Sequence, residues 1–132
     1  MNQSLSSSCV IGVGTDIIEI ARIKAAIERH GMRFYRRIFS LDEEEYCKKF
    51  LNPYPHLAGR FAAKEAVMKA LGSIWNRPIG WQQITICKEP NGRPTVSVDP
   101  SLAKNFIGYQ LLISISHSRE FATAMALLSK LN

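Results

Sequence analysis

The sequence predicts a mixed α+β domain in which antiparallel strands accompany a central helix. Three observations carry the prediction. A chain of 132 residues buries one core and is too short for two ordinary domains. The run Phe61-Ala62-Ala63-Lys64-Glu65-Ala66-Val67-Met68-Lys69-Ala70-Leu71, plotted at 3.6 residues per turn, carries apolar groups around most of its circumference, as an enclosed helix does. Near the C-terminus Leu111, Ile113 and Ile115 alternate with Leu112, Ser114 and Ser116, and a polar turn at Ser118 to Glu120 leads to a returning strand, Phe121 to Leu128.

The remaining elements follow in order. Residues 1–9 are polar, lack the basic flank and apolar run of a signal peptide, and are expected to form a disordered leader to a single domain over 10–132. Val10 to Asp16, β-branched and punctuated by Gly12 and Gly14, predicts a short strand. Strand alternation puts Gly12, Gly14 and Asp16 on one face, bare backbone beside a carboxylate, which would permit close approach of a ligand. Ile20, Ile23, Lys24 and Ile27 then recur at helical spacing, and the helix should stop near His30 and Gly31. After a basic connector, Ser40 and Glu43 form a capping box for a helix to about Phe50, and Asn52, Pro53 and Pro55 break the chain. The central helix runs from about His56 to Leu71 and stops at Gly72. Ile84 to Cys87 and Val96 to Val98 read as strands joined by the turn Asn91-Gly92-Arg93-Pro94, and Asp99-Pro100 opens a short helix ending near Gly108.

Composition narrows the function classes. Hydrophobic residues at 46% and charged residues at 21% exclude the disordered regime. A net charge of +6 and a pI near 9.5 predict attraction to phosphates, nucleotides, nucleic acids or acidic protein surfaces. Arg22, Lys24, Arg29, Arg33, Arg36 and Arg37 bunch beside the acidic run Asp42 to Glu45, as a docking face or a solvated helix surface would. Cys9, Cys47 and Cys87 form no C-x-x-C pair, which argues against a disulfide framework or zinc site and fits a reducing cytosol; no segment is long enough to cross a bilayer.

Each candidate chemical residue admits two readings. Glu65 and Lys69 stand one turn apart on the only strongly polar sector of the central helix: either an i,i+4 surface pair or a partly enclosed reactive pair. Asp16, with Glu19 three positions on, could cap the following helix or ligate a cation. Two carboxylates from separate elements are a usual way to hold Mg²⁺, which keeps several waters and takes substrate phosphate oxygens as further ligands. Gly12-Val13-Gly14 lacks the third glycine of a dinucleotide fingerprint, and no Walker-type G-K-[ST] occurs. His117, between Ser116 and Ser118, could bind phosphate, accept a proton or simply sit in a turn.

Three blocks taken together resemble one family. Gly12-Val13-Gly14-Thr15-Asp16-Ile17-Ile18-Glu19-Ile20-Ala21-Arg22-Ile23, Gly59-Arg60-Phe61-Ala62-Ala63-Lys64-Glu65-Ala66 and Ile113-Ser114-Ile115-Ser116-His117-Ser118 are similar, in this order, to the motifs of the holo-acyl-carrier-protein synthase family, and the Asn91–Pro94 turn also fits. The resemblance covers essentially everything from Val10 onward. It implies the 4′-phosphopantetheinyl transferase-like α+β fold, a homotrimer with coenzyme A bound between protomers, and transfer of 4′-phosphopantetheine to a serine of acyl carrier protein in support of fatty acid biosynthesis. It further implies that Asp16 and Glu65 ligate Mg²⁺, that Lys69 neutralises phosphate charge, that Arg60, Lys64 and His117 line the coenzyme pocket, and that Arg22, Arg33 and Arg37 engage the carrier protein. The family's Gly-Thr-Gly after the central helix is replaced here by Gly72-Ser73-Ile74.

The implied reaction is attack of the carrier serine hydroxyl on the β-phosphate of coenzyme A, releasing 3′,5′-adenosine diphosphate. Such a transfer depends mainly on positioning and on neutralising phosphate charge, and Glu65 is the candidate acceptor of the serine proton. Two rival readings are a small basic nucleic-acid-binding protein, which charge permits but no motif supports, and a coenzyme A or nucleotide binder without catalysis. Nucleic acid and membrane insertion are therefore not expected among its partners.

Overall fold

The computed structural model describes residues 8–132. In chain order the elements are β1 (Ser8–Glu19), α1 (Ile20–Ile38), α2 (Leu41–Cys47), α3 (Tyr54–Leu71), β2 (Ile84–Lys88), β3 (Pro94–Val98), α4 (Pro100–Ala103), β4 (Tyr109–His117) and β5 (Phe121–Leu131), with single 3₁₀ turns at Trp81–Gln83 and Lys104–Phe106. One antiparallel sheet has the order β1-β5-β4, and β2 and β3 form a separate antiparallel hairpin. The expected α+β class is therefore observed.

β1 is longer than its β-branched stretch suggests. It pairs with β5 from Ser8↔Leu131 to Glu19↔Phe121, with one register shift between Val10 and Gly12. Ser8 and Cys9, expected in the leader, thus belong to the strand, while residues 1–7 of that leader lie outside the described residues. The alternation sends Gly12, Gly14, Asp16 and Ile18 inward and Val13, Thr15, Ile17 and Glu19 outward.

α3 lies against the inward face of β1 and β5 and buries 11 of its 18 residues. Its alanines Ala62, Ala63, Ala66 and Ala70 join Leu71, Ile84, Ile86, Ala124, Ala126 and Leu128 in one core. A second core, at the other end of α3, gathers Ile20, Ile23, Ile38, Phe39, Cys47, Leu57, Ala58 and Ala122. The two glycines of β1 serve this packing rather than a ligand. A Cβ at Gly14 would overlap the carbonyl oxygen of Ala66, and one at Gly12 that of Ala70, so the strand can approach the helix backbone only where side chains are missing.

Several boundaries differ from expectation. Gly31 does break α1, at φ 70° and ψ −159°, a conformation essentially restricted to glycine, but the chain resumes helical geometry and reaches Ile38, where the sequence suggested a connector. α2 has its capping box, Ser40 Oγ accepting from the Glu43 amide at 3.2 Å and the Glu43 carboxylate from the Ser40 amide at 2.9 Å, yet ends at Cys47 instead of Phe50. α3 starts at Tyr54, because Pro55 in the first turn forfeits only an amide that has no helical partner.

Candidate active site

Asp16 is delivered by the inward face of β1, and Glu65 and Lys69 by successive turns of α3. Asp16 remains in extended backbone opposite Ala124, and α1 is preceded by Glu19, whose side chain makes no capping bond. The capping alternative for Asp16 is thereby removed. Lys69 reaches across to the strand: its Nζ donates to the Thr15 carbonyl at 2.8 Å and lies 3.4 Å from Asp16 Oδ1. The Asp16 carbonyl accepts from Thr123 Oγ1 at 2.8 Å, which ties the strand at this residue to β5.

Glu65 faces this pair. Burial, and next the negative charge of Asp16, push its carboxyl pKa above the ordinary range, and Lys69 partly offsets them. Two carboxylates beside a single ammonium, one of them held above its ordinary pKa by burial and by the other's charge, are short of positive charge. Among the described residues no group of three metal-ligating side chains exists, so a cation here would take its remaining ligands from water and substrate oxygens. Mg²⁺ accepts that arrangement, and the donor set of two oxygen ligands with no nitrogen or sulfur suits it.

A second cluster lies about 8 Å away along α3, at 1.5 Å per residue between Arg60 and Glu65. The Arg60 guanidinium stands 4.0 Å from the centre of the Tyr46 ring, and Lys88 Nζ donates to the Tyr46 hydroxyl at 2.7 Å. His56 stacks on Phe50 with ring centres 3.6 Å apart, and His117 meets His56 edge-on at 5.5 Å. Burial first, then the charges of His117, Arg60 and Lys88, lower the His56 pKa. Arg60 Nε is buried with no hydrogen-bond partner among the described residues. An anion would supply acceptors to this cationic set. Tyr46, His56 and Lys88 were not apparent in the sequence, since α2, α3 and β2 bring them together only through tertiary packing.

Lys64 requires a correction. It does not line a pocket: its side chain and that of Glu43 are both 0% exposed, 2.7 Å apart, and its Nζ also donates to the carbonyls of Ile38 at 2.7 Å and Trp81 at 2.9 Å. All three ammonium protons are committed inside the protein. The Gly72-Ser73-Ile74 segment folds back on α3, with Ser73 Oγ donating to the Ala70 carbonyl at 2.9 Å. On α1, Arg33 and Arg37 line one groove with Ala26, Arg29, His30 and Phe34; Arg22 is exposed but lies outside it.

A family profile described as the 4′-phosphopantetheinyl transferase superfamily matches residues 12–126. The holo-[acyl-carrier-protein] synthase of Protochlamydia amoebophila (strain UWE25) is 50% identical over 119 residues, covering 90% of this chain and 98% of that one. The synthase of Chlamydia felis (strain Fe/C-56) is 53% identical over 114 residues, covering 86% and 93%. The crystal structure of the Helicobacter pylori synthase in complex with coenzyme A superposes with a TM-score of 0.78 at 34% identity, covering 88% of this chain and 98% of that one. The chain belongs to the 4′-phosphopantetheinyl transferase superfamily, within its holo-acyl-carrier-protein synthase group, and is an enzyme.

Proposed function

We propose that the protein moves the 4′-phosphopantetheine group of coenzyme A to the serine hydroxyl of an apo-acyl carrier protein, with Mg²⁺ held by Asp16 and Glu65. The observation that carries this reading is the convergence of Asp16, Glu65 and Lys69, two carboxylates and an ammonium from β1 and α3. When bound, Mg²⁺ would offset the charge of the pyrophosphate oxygens and favour the ionised form of Glu65. Lys69, oriented by the Thr15 carbonyl, would add its ammonium to the neutralisation of the same oxygens. Thr123 steadies the strand that presents Asp16. Glu65 is the carboxylate positioned to take the serine proton as the oxygen attacks the β-phosphate and 3′,5′-adenosine diphosphate leaves.

Arg60, His56, His117 and Lys88 would hold the other phosphate of the coenzyme, which supplies the acceptor that buried Arg60 Nε lacks. Arg22, Arg33 and Arg37, all exposed on α1, would receive the acidic carrier. The outward sheet face supports a homotrimer: Val13 is 56% exposed, Ile17 65% and Met125 46%, an apolar surface that a second copy would cover. No described helix is long and apolar enough to cross a membrane, and we place the enzyme in the cytoplasm, serving fatty acid biosynthesis. Incubation of apo-carrier protein with coenzyme A and the enzyme, followed by intact-mass measurement, tests the reading. A gain of one phosphopantetheine group per carrier, abolished when the acceptor serine is replaced by alanine, is expected; an unchanged carrier mass would refute it.

A further inference from the structure

The ion pair between Glu43 and Lys64 is larger in reach than a bond between two helices. Lys64 projects from α3 and spends its protons on the Glu43 carboxylate of α2, on the Ile38 carbonyl at the end of α1, and on the Trp81 carbonyl. Glu43 in turn accepts from the Ser40 amide at 2.9 Å and, through its other oxygen, from the Ile86 amide of β2 at 2.7 Å. One residue from Trp81, the Gln82 side-chain amide donates to the carbonyls of Arg36 at 2.7 Å and Phe39 at 2.9 Å. Three side-chain hydrogen bonds, one from Lys64 and two from Gln82, therefore grip one short stretch, Arg36 to Phe39, and the Lys64 bond ties it to the helix that bears Glu65.

That stretch needs gripping. It is the end of the second half of α1, detached from the first half by Gly31, whose backbone cannot continue the helix and which has no atom within 4 Å of a would-be Cβ. A kink at such a residue frees the two halves to take different directions, so the direction of Met32–Ile38, and with it the placing of Arg33 and Arg37, depends on that segment's own contacts. The holding contacts are the apolar anchors Ile38 and Phe39, 3% and 2% exposed, with Phe34 and Tyr35 packed against the same core, and the polar set just described.

We propose that Lys64, assisted by Gln82, is a positioning residue for carrier-protein docking: it fixes the Arg33 and Arg37 segment of α1 relative to the catalytic helix. The inference rests on the carrier-docking role proposed above for those arginines. It assigns Lys64 to the carrier side of the reaction and not to the coenzyme side.

The double variant Glu43→Gln/Lys64→Met tests this, because it removes both buried charges and leaves neither unpaired. Carrier KM should rise at least fivefold with coenzyme A KM within twofold of wild type, and amide exchange should accelerate at least tenfold in residues 32–39 while α3 keeps its protection. An unchanged carrier KM in the folded variant, equal rises in both KM values, or accelerated exchange spread through α3 would overturn the proposal. Gln82→Ala gives the same test should the double variant fail to fold: a rise in carrier KM alone is expected, and none would overturn it. Arg37→Glu separates the two ideas. If it leaves carrier KM unchanged, the docking role itself fails; if it raises carrier KM while neither network variant does, only the positioning role fails.

Discussion

Glu65 sits where catalysis and stability pull in opposite directions. Burial and the charge of Asp16 raise its pKa, so its ionised form, the one a metal requires, is the form the metal-free fold disfavours. A group whose folded pKa lies above the unfolded value of about 4.3 supports stability while protonated, and loses that support as the pH rises through the folded value. Glu65→Gln should therefore raise the metal-free, coenzyme-free melting temperature at pH 7 by roughly 1–4 °C, with no difference at pH 4; calorimetry at the two pH values checks both. Gly14 presents the opposite case, a residue that tolerates nothing larger. Its α hydrogen faces the Ala66 carbonyl of α3, so Gly14→Ala should cost about 3 kcal/mol through overpacking and lower the melting temperature by roughly 10 °C, and a chemical-denaturation midpoint unchanged from wild type would show that the strand and helix can part without penalty.

Among the elements, the proposed reaction assigns recognition of the carrier to α1 and the chemistry to α3. Arg22 lies before the Gly31 break and Arg37 after it, both exposed, so a carrier that contacts both must span the two halves of the helix. Arg22→Glu and Arg37→Glu should each raise carrier KM roughly 5- to 50-fold, about 1–2 kcal/mol, leave coenzyme A KM near wild type, and show the effect shrinking as salt is added; steady-state kinetics at two ionic strengths measures it. The same elements show what a sequence can convey. The Ser40 and Glu43 capping box was legible because its signal is a three-residue spacing, and the Asp16 face of β1 because strands alternate. Glycine at position 31 marked a break correctly, but a backbone rule cannot say whether a helix resumes beyond it. The buried partnership of Glu43 with Lys64 and the gathering of Tyr46, His56, Arg60 and Lys88 were not legible, since each joins elements whose mutual placement is set by core packing. Motif position alone put Lys64 toward the coenzyme, whereas its full burial puts it inside.

At the scale of the whole molecule, one sheet has its inner face against α3 and its outer face bare among the described residues. Val13, Ile17, Leu112 and Met125 are exposed on that outer side, and burying such residues is worth roughly 1.5–3 kcal/mol each, so this is the face through which the proposed trimer would form. If the proposed trimer forms through this face, Ile17→Glu combined with Met125→Glu should give a monomer in sedimentation experiments where the wild type gives a trimer, while circular dichroism stays that of the folded chain; a monomeric wild-type protein would contradict the proposed trimer. Net charge of +6 adds attraction for acidic carrier and phosphate ligand alike, but charge alone performs no transfer. The proposed chemistry has Asp16 and Glu65 share one cation, and the most direct measurement is the intact mass of apo-carrier protein after incubation with coenzyme A, with and without Mg²⁺, using wild-type enzyme and Glu65→Gln side by side. Conversion by the wild type only when Mg²⁺ is present, and at least 100-fold slower conversion by the variant, roughly 2.7 kcal/mol of barrier, is the predicted result; conversion by Glu65→Gln at the wild-type rate, or by the wild type in chelator, would contradict it.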